Sequence, residues 1–168
     1  MRALLLALLL TLTGCGFHLR GSGLDANLLV HSAYVTGGGG TAAQVRNSLS
    51  LTPHITLLNT PATDALLIDV LREDSRQQVL TLTSLGRVSE YRLFYTVNFR
   101  ARQGEQMLID NGSISLYRDY TYDDNNVLGK TNEADTLIAN MQQDAALQIL
   151  RRISAASRNA APVSSDAH

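Results

Sequence analysis

Hydrophobic and polar residues alternate with period two between residues 90 and 101, with Phe94 as the exception. One face of this segment is apolar and consists of Tyr91, Leu93, Tyr95, Val97, Phe99 and Ala101. The opposite face is polar and consists of Glu90, Arg92, Thr96, Asn98 and Arg100. Since a strand with one dry and one wet face is typical of an antiparallel sheet covered on one side, we predict such a strand here.

Three more strands are predicted around it by their apolar and β-branched residues. They cover residues 28–35, residues 65–71 with a continuation towards Leu80, and residues 107–122. The segment 102–105 is predicted to form a hairpin turn, and Asn111-Gly112 a bulge in the last strand. Residues 55–58 are only a brief extended piece.

Two helices are predicted by apolar positions at helical spacing. The first runs from Ala42 to about Leu51 with Thr41 as its cap, and the second from about Asn132 to Ala156. The apolar stripe of the second consists of Leu137, Ile138, Met141, Ala145, Ile149 and Ile153. The order β-α-β-β-β-α predicts an α+β fold, with both helices on one face of a four-stranded, mostly antiparallel sheet.

The start of the chain has the plan of a bacterial lipoprotein signal. One arginine precedes an apolar run over residues 3–12, which is shorter than the roughly 20 residues that a membrane-spanning helix needs. The run ends in Leu-Thr-Gly-Cys, and a branched apolar residue, two small residues and a cysteine form a lipobox. We therefore predict that residues 1–14 are cleaved and that Cys15 is lipidated. Cys15 is the only cysteine, so no intrachain disulfide competes with this role.

The rest of the chain is predicted to be one domain over residues 15–156, followed by a disordered tail rich in alanine and serine at 157–168. The charge is nearly balanced, with 14 basic and 15 acidic residues, and Lys130 is the only lysine. Because no general positive field results, nucleic-acid binding is not predicted.

No motif predicts a catalytic residue, a cofactor or a metal. Residues 37–42 formally fit the dinucleotide fingerprint G-x-G-x-x-A, but the predicted antiparallel sheet lacks the parallel βαβ unit that this motif needs. The histidines lack metal-ligand spacing, and residues 111–115 lack the closing glycine of a nucleophile elbow. The acidic pair at 123–124 lacks the spaced ligands of an EF-hand.

Several segments resemble one known family in the same order and on the same predicted elements. They are Gly-Phe-His-Leu-Arg after Cys15, Val45–Leu49 on the first helix, Glu90-Tyr91 with Thr96–Asn98 on the central strand, and Val127–Lys130 with Glu133, then Met141–Ile153, around the last helix. Behind a lipobox, this set is similar to the LPS-assembly lipoprotein family, LptE, also called RlpB.

The resemblance implies a non-enzymatic lipoprotein on the periplasmic side of the outer membrane, held there by acylated Cys15. It also implies two partners. Members of the family bind lipopolysaccharide, and they stand as a plug in the β-barrel LptD, which they help to assemble and which inserts lipopolysaccharide into the outer leaflet. The alternative is an accessory lipoprotein of another periplasm-facing lipid transport system. A lipid-anchored hydrolase is disfavoured by the missing nucleophile and base.

The resemblance also indicates a candidate site for lipopolysaccharide. A lysine before the last helix of the family corresponds to Lys130, whereas a basic residue before the Glu-Tyr strand has only Arg87 nearby, a few positions off. We expect Lys130 and Arg87 to meet at one end of the domain and to contact phosphates. The alternative is that both are ordinary solvated loop charges.

Aromatic and arginine residues at the end of the last strand suggest a contact with the barrel. They are Tyr117, Arg118, Tyr120 and Tyr122. Tyrosine and arginine are enriched at protein interfaces, although tyrosines also suit a strand for structural reasons.

Overall fold

Three long strands form the body of the sheet. The computed structural model describes residues 30–160, so the predicted signal peptide, Cys15 and residues 161–168 lie outside the described residues. Within this range β4 (Val88–Gln103) lies between β3 (Leu66–Leu82) and β5 (Gln106–Thr121) and is antiparallel to both. The alternation predicted along the central strand is confirmed, because its apolar face is buried and its polar face is not.

Two short strands extend the sheet beside the first four residues of β3. β1 (Ser32–Thr36) pairs in parallel with β3, and β2 (Thr56–Leu57) pairs in parallel with β1. The sheet therefore has five strands in the order β2-β1-β3-β4-β5, not the four predicted. Residues 56–57 are too few to show a periodicity, and the strand is completed by the carbonyls of His31 and Ala33, which accept bonds from the N–H groups of Thr56 and Leu58.

Both helices pack on the same face of this sheet, so the predicted α+β class is confirmed. They are α1 (Gly40–Ser50) and α2 (Val127–Ala160), the second preceded by a short 3₁₀ turn (Asp124–Asn126). One hydrophobic core joins the helices to the inward faces of the strands. The fully buried members of the predicted stripe include Met141, Ala145, Ile149 and Ile153, and each large aliphatic side chain stabilises the fold by about 1.5–3 kcal/mol.

The last helix begins at Val127, not at about Asn132 as predicted. Polar side chains just before it cap main-chain N–H groups at and just before its start. The side chain of Asp123 accepts a bond from the Asn125 N–H at 2.9 Å, and that of Asn126 accepts one from the Gly129 N–H at 3.3 Å. Lys130 therefore lies within the first turns of α2 and not in a loop ahead of it. At the other end the helix continues to Ala160, so residues 157–160 are helical and not disordered.

The predicted bulge in the last strand is present. Ile109 lies opposite Ala101 and Gly112 lies opposite Phe99, so two residues of β5 stand against one of β4. A side chain at position 112 would overlap the ring of Phe99, which is completely buried. The glycine thus lets this ring cover the strand beside the bulge.

A carboxylate from the sheet, and not Thr41, caps the N-terminus of α1. Glu73 of β3 accepts bonds from the main-chain N–H groups of Thr41 at 3.0 Å and Ala42 at 3.3 Å. The Thr41 hydroxyl instead lies 2.6 Å from the buried hydroxyl of Tyr95, which donates to Glu73. The dinucleotide motif in residues 37–42 therefore has no phosphate site, because a protein carboxylate occupies the helix terminus.

Among the glycines at 37–40, Gly37 is the one whose backbone conformation requires a glycine. Its φ is +116°, and a Cβ there would lie 2.9 Å from the carbonyl oxygen of Val70. Gly38 has ordinary backbone angles and open space around it, since a Cβ there would meet nothing within 4 Å.

We expect Gly37→Ala to lower the free energy of unfolding by about 1–3 kcal/mol, because alanine would be forced into a sparsely populated conformation against a neighbouring strand. Gly38→Ala is the matched control and should change stability by less than about 0.5 kcal/mol. Urea unfolding followed by circular dichroism measures both. Equal stability of the two variants would contradict this account of the turn.

Candidate functional site

The β3–β4 hairpin and the start of α2 meet at one end of the domain, which we call the tip (residues 79–88 and 127–130). β1 ends at Thr36 opposite Asp69, so from Arg72 onwards β3 is paired only with β4 and its other side is an open edge. β5 ends at Thr121 opposite Glu90, and the connection to α2 starts with a bond from the Tyr122 N–H to the Ser89 carbonyl at 2.8 Å. The hairpin therefore projects beyond the other strands.

Lys130 is held firmly at the tip. Its Nζ donates to Glu133 Oε2 at 2.8 Å and to Thr121 Oγ1 at 3.1 Å, and its side chain is only 18% exposed. An ammonium group has three N–H donors, so these two bonds leave one for a ligand. Lys130 is therefore a positioned cation whose charge is partly balanced by Glu133.

Arg87 lies in the turn between β3 and β4 and is exposed. Its main chain closes the turn: the carbonyl accepts from the Thr83 N–H at 2.7 Å, and its N–H donates to the Thr83 hydroxyl at 3.2 Å. In the described part of the chain no carboxylate pairs with its guanidinium. Arg87 is three residues before Glu90, about 10 Å along an extended strand, and Glu90 is opposite the Thr121 that Lys130 contacts. Lys130 and Arg87 therefore lie at the same end of the domain, and their joint contact with phosphates stays a prediction.

The four residues predicted to contact a partner do not share one surface. Tyr120 is buried and stacks on Tyr91 with ring centroids 5.8 Å apart, and Tyr122 meets the same ring edge-on at 5.1 Å. Burial raises the pKa of Tyr120 above its usual range. These two tyrosines close the core beneath the tip. Replacing Tyr120 would therefore destabilise the fold, and weaker binding by such a variant would not identify a contact with a partner.

Tyr117 and Arg118 point to opposite sides of β5. Arg118 faces the helices and pairs with Asp144 of α2 at 2.6 Å. Tyr117 is 58% exposed on the side of the sheet that carries no helix, which we call the open face. Of the four predicted contact residues, Tyr117 is therefore the one best placed to meet another molecule.

Arginines lie over aromatic rings on the open face. Arg76, Phe94 and Tyr117 stand side by side in the register of β3, β4 and β5. The guanidinium of Arg76 is 4.6 Å from the centroid of the Phe94 ring, and that of Arg92 is 4.7 Å from the centroid of the Tyr117 ring. Phe94 is the exception to the alternation of β4, and its place in this row explains why an aromatic residue stands on the polar face.

Ion pairs neutralise some of these arginines but not Arg76. Arg92 makes two bonds to the carboxylate of Asp119, at 2.6 and 2.7 Å, and this hydrogen bonding lowers the pKa of Asp119. Arg72 has only a long contact of 3.9 Å with Asp74, and Arg76 pairs with no carboxylate of residues 30–160. A shallow depression of about 360 Å³ lies here. It is lined by Arg72, Asp74, Arg76, Phe94, Thr96, Asn98 and Ser115.

The buried polar cluster at α1 is structural. Burial, together with the hydrogen bond to Glu73, raises the pKa of Tyr95 far above its usual range, so the hydroxyl stays protonated and donates to Glu73. The Thr41 hydroxyl then donates to the Tyr95 oxygen. Among the described residues no group of three or more His, Cys, Asp or Glu side chains could hold a metal ion, and no helix has the length and apolar character to span a membrane.

Exposed apolar residues at the tip were not singled out from the sequence as functional. Leu82 is 55% and Leu85 is 83% exposed. The signal was available, because residues 77–86 form an uncharged stretch with several aliphatic side chains between two arginines. Their exposure depends on how far β1 and α1 extend along β3, and no local pattern specifies that extent.

Solved structures of three bacterial lipoproteins share this fold. Lipoprotein B from Nitrosomonas europaea is 28% identical, with a TM-score of 0.69 over 85% of this chain and 93% of that chain. Rare lipoprotein B from Shewanella oneidensis is 24% identical, with a TM-score of 0.68 over 77% and 97%. A minor lipoprotein from Acinetobacter baumannii is 24% identical, with a TM-score of 0.59 over 76% and 93%.

A comparison with curated protein sequences gave no match. The model of the lipopolysaccharide-assembly family LptE matches residues 31–153, which covers every strand, α1 and most of α2. Together with the lipoprotein structures that share the fold, this match confirms the resemblance found in the sequence, and the chain belongs to the LptE family of lipopolysaccharide-assembly lipoproteins.

Proposed function

We propose that this protein binds lipopolysaccharide at its tip and acts as a plug in the LptD β-barrel, where it supports assembly of the barrel and insertion of lipopolysaccharide into the outer leaflet. The observation that carries the proposal is the position of Lys130 and Arg87 at the same end of the domain. Phosphates on a sugar head group bind most strongly to cations that donate hydrogen bonds, and both residues can do so.

The dimensions of the sheet support a plug. β4 has 16 residues and therefore a length of about 50 Å. A bilayer with its head groups is about 40–45 Å thick, so a domain of this length matches the depth of a membrane barrel. The described chain begins at Val30, near the end of the sheet opposite the tip, and a lipid on Cys15 would tether the domain from that end.

The open face supports contact with the barrel wall. Arginine and aromatic residues supply most of the energy at protein interfaces, and here they are placed in one row across three strands. The face is largely polar, and Arg92 and Asp119 on it are already bonded to each other. Such bonded pairs can lie against a partner without burying unpaired charge, whereas Arg76 has no carboxylate partner within residues 30–160 and would need one from the barrel.

We expect the double variant Arg87→Glu, Lys130→Gln to bind lipopolysaccharide at least about tenfold more weakly, because a hydrogen bond to a charged group contributes about 1.5–3 kcal/mol. Glutamine at position 130 avoids placing a second acid beside Glu133. Binding of purified protein to lipopolysaccharide is measured by titration calorimetry.

The matched control for this experiment is Arg102→Glu, Arg151→Gln. It makes the same change in net charge at exposed positions away from the tip. Thermal unfolding establishes that both variants are folded. Equal affinity of the tip variant and the wild type would refute the phosphate site.

Tyr117→Ala should lower the amount of LptD that co-purifies with the protein from outer membranes several-fold, because loss of a tyrosine anchor typically costs about 2 kcal/mol of binding. Leu51→Ala is the control, since Leu51 is 75% exposed at the end of α1, away from the open face. Unchanged recovery of the barrel with Tyr117→Ala would argue against contact through this face.

A further inference from the structure

Exposed hydrophobic side chains gather at the tip. Ten large hydrophobic residues are exposed between residues 30 and 160, and six of them lie here. They are Val79, Leu80, Leu82, Leu85, Val127 and Leu128. A single exposed leucine is ordinary on a protein surface, but a concentration of such residues in one place marks a binding surface.

The turn that carries Leu85 has a defined conformation. The Thr83 N–H donates to the Arg87 carbonyl at 2.7 Å, and the Gly86 N–H donates to the Thr83 carbonyl at 2.9 Å. Gly86 has a φ of +73°, which a residue with a side chain rarely adopts. The hairpin therefore holds Leu82 and Leu85 in a turn of defined conformation. This turn lies beyond the ends of the other strands of the sheet.

The charged residues next to these leucines in the sequence are arginines. Arg76 and Arg87 flank an uncharged stretch of ten residues, 77–86. Glu90 is engaged with the Thr81 hydroxyl at 2.7 Å, and the remaining acids of this end, at 123–124 and 133, belong to the connection to α2 or to α2 itself and not to the hairpin. Aliphatic residues bounded by arginines are typical of segments that lie at the boundary between lipid and water.

The composition of the hairpin favours acyl chains over a protein wall. Protein interfaces are enriched in aromatic anchors, yet residues 79–88 contain none, and the exposed aromatic residues Phe94 and Tyr117 lie on the open face instead. Valine and leucine are chemically similar to hydrocarbon chains and gain as much from contact with lipid as from contact with protein.

We infer that Leu82 and Leu85 contact the acyl chains of bound lipopolysaccharide while Arg87 meets a phosphate of its head group. This inference rests on the proposed function and adds to it a second, apolar half of the ligand site. The tip then recognises the ligand as an amphiphile, with the cations on its phosphates and the leucines on its fatty acids.

The test compares two forms of one ligand. The full-length protein is titrated with fully acylated lipopolysaccharide and with the same material after removal of its fatty acids. We expect the wild type to prefer the acylated form by about tenfold or more, and Leu82→Ser, Leu85→Ser to lose this preference while binding the deacylated form unchanged. The matched control is Leu51→Ser, Leu71→Ser, because these leucines are 75% and 53% exposed away from the tip.

Three results would overturn the inference. The first is unchanged affinity of Leu82→Ser, Leu85→Ser for acylated lipopolysaccharide, and in that case weaker binding by Arg87→Glu, Lys130→Gln would leave the proposed function standing. The second is equally strong binding of the wild type to vesicles of phosphatidylethanolamine and phosphatidylglycerol, which would identify a general membrane contact. The third is no binding of either ligand form by the wild type, in which case the proposed function fails as well.

Discussion

The carboxylate of Glu73 joins the helical layer to the sheet, and the rest of the architecture depends on this contact. It accepts bonds from two main-chain N–H groups at the start of α1, at 3.0 and 3.3 Å, and from the hydroxyl of Tyr95. The first N–H groups of a helix have no partner within it, and the helix dipole favours a negative charge there. A side chain at Gly39 would overlap this carboxylate, so part of the glycine run follows from the approach of Glu73.

Glu73 also lies where the covered core ends. Before it, β3 has β1 at its side and buried residues such as Leu66 and Ile68. After it, β3 is an exposed edge. Exposed edges invite pairing with other chains, and charged residues reduce this risk. Arg72, Asp74 and Arg76 carry such charges, whereas the stretch from 77 to 86 does not. The tip is thus the part of this edge that lacks charged residues against pairing with another chain. This is expected of a surface that a ligand or a partner covers in the functional state.

Much of the fold could be predicted because its signals are local. The alternation along β4, the helical stripe of α2 and the bulge near Gly112 are properties of neighbouring residues, and all three are confirmed. β2 was missed because a two-residue strand exists only through its bonds to β1. The cap of α1 was assigned to Thr41 because it stands next to the helix, whereas Glu73 reaches it from a distant strand.

The candidate site was harder to predict for the same reason. The sequence could suggest Lys130 and Arg87, and their position at one end follows from the register of β4 with β5. Lys130 is bonded to Glu133 and Thr121, and Tyr120 is buried while Arg118 on the same face of β5 is exposed. Both facts depend on how α2 lies across the sheet. Such distinctions between neighbouring residues of one strand come from packing, and periodicity assigns only the face.

The two cations of the tip are held differently, and this bears on how a ligand would be recognised. Lys130 is fixed by two hydrogen bonds, so little side-chain entropy is lost when a phosphate adds a third. Arg87 is exposed and pairs with no carboxylate of the described residues, and its planar guanidinium can donate to a phosphate in several orientations. A cation that is already bonded in place defines where the head group lies, and an unpaired one can accommodate variation in the head group. With Leu82 and Leu85 on the same turn as Arg87, the adaptable cation is also the one nearest the proposed acyl-chain contact, so the orientation of the ligand would be set at Lys130 and its fatty acids directed towards the hairpin.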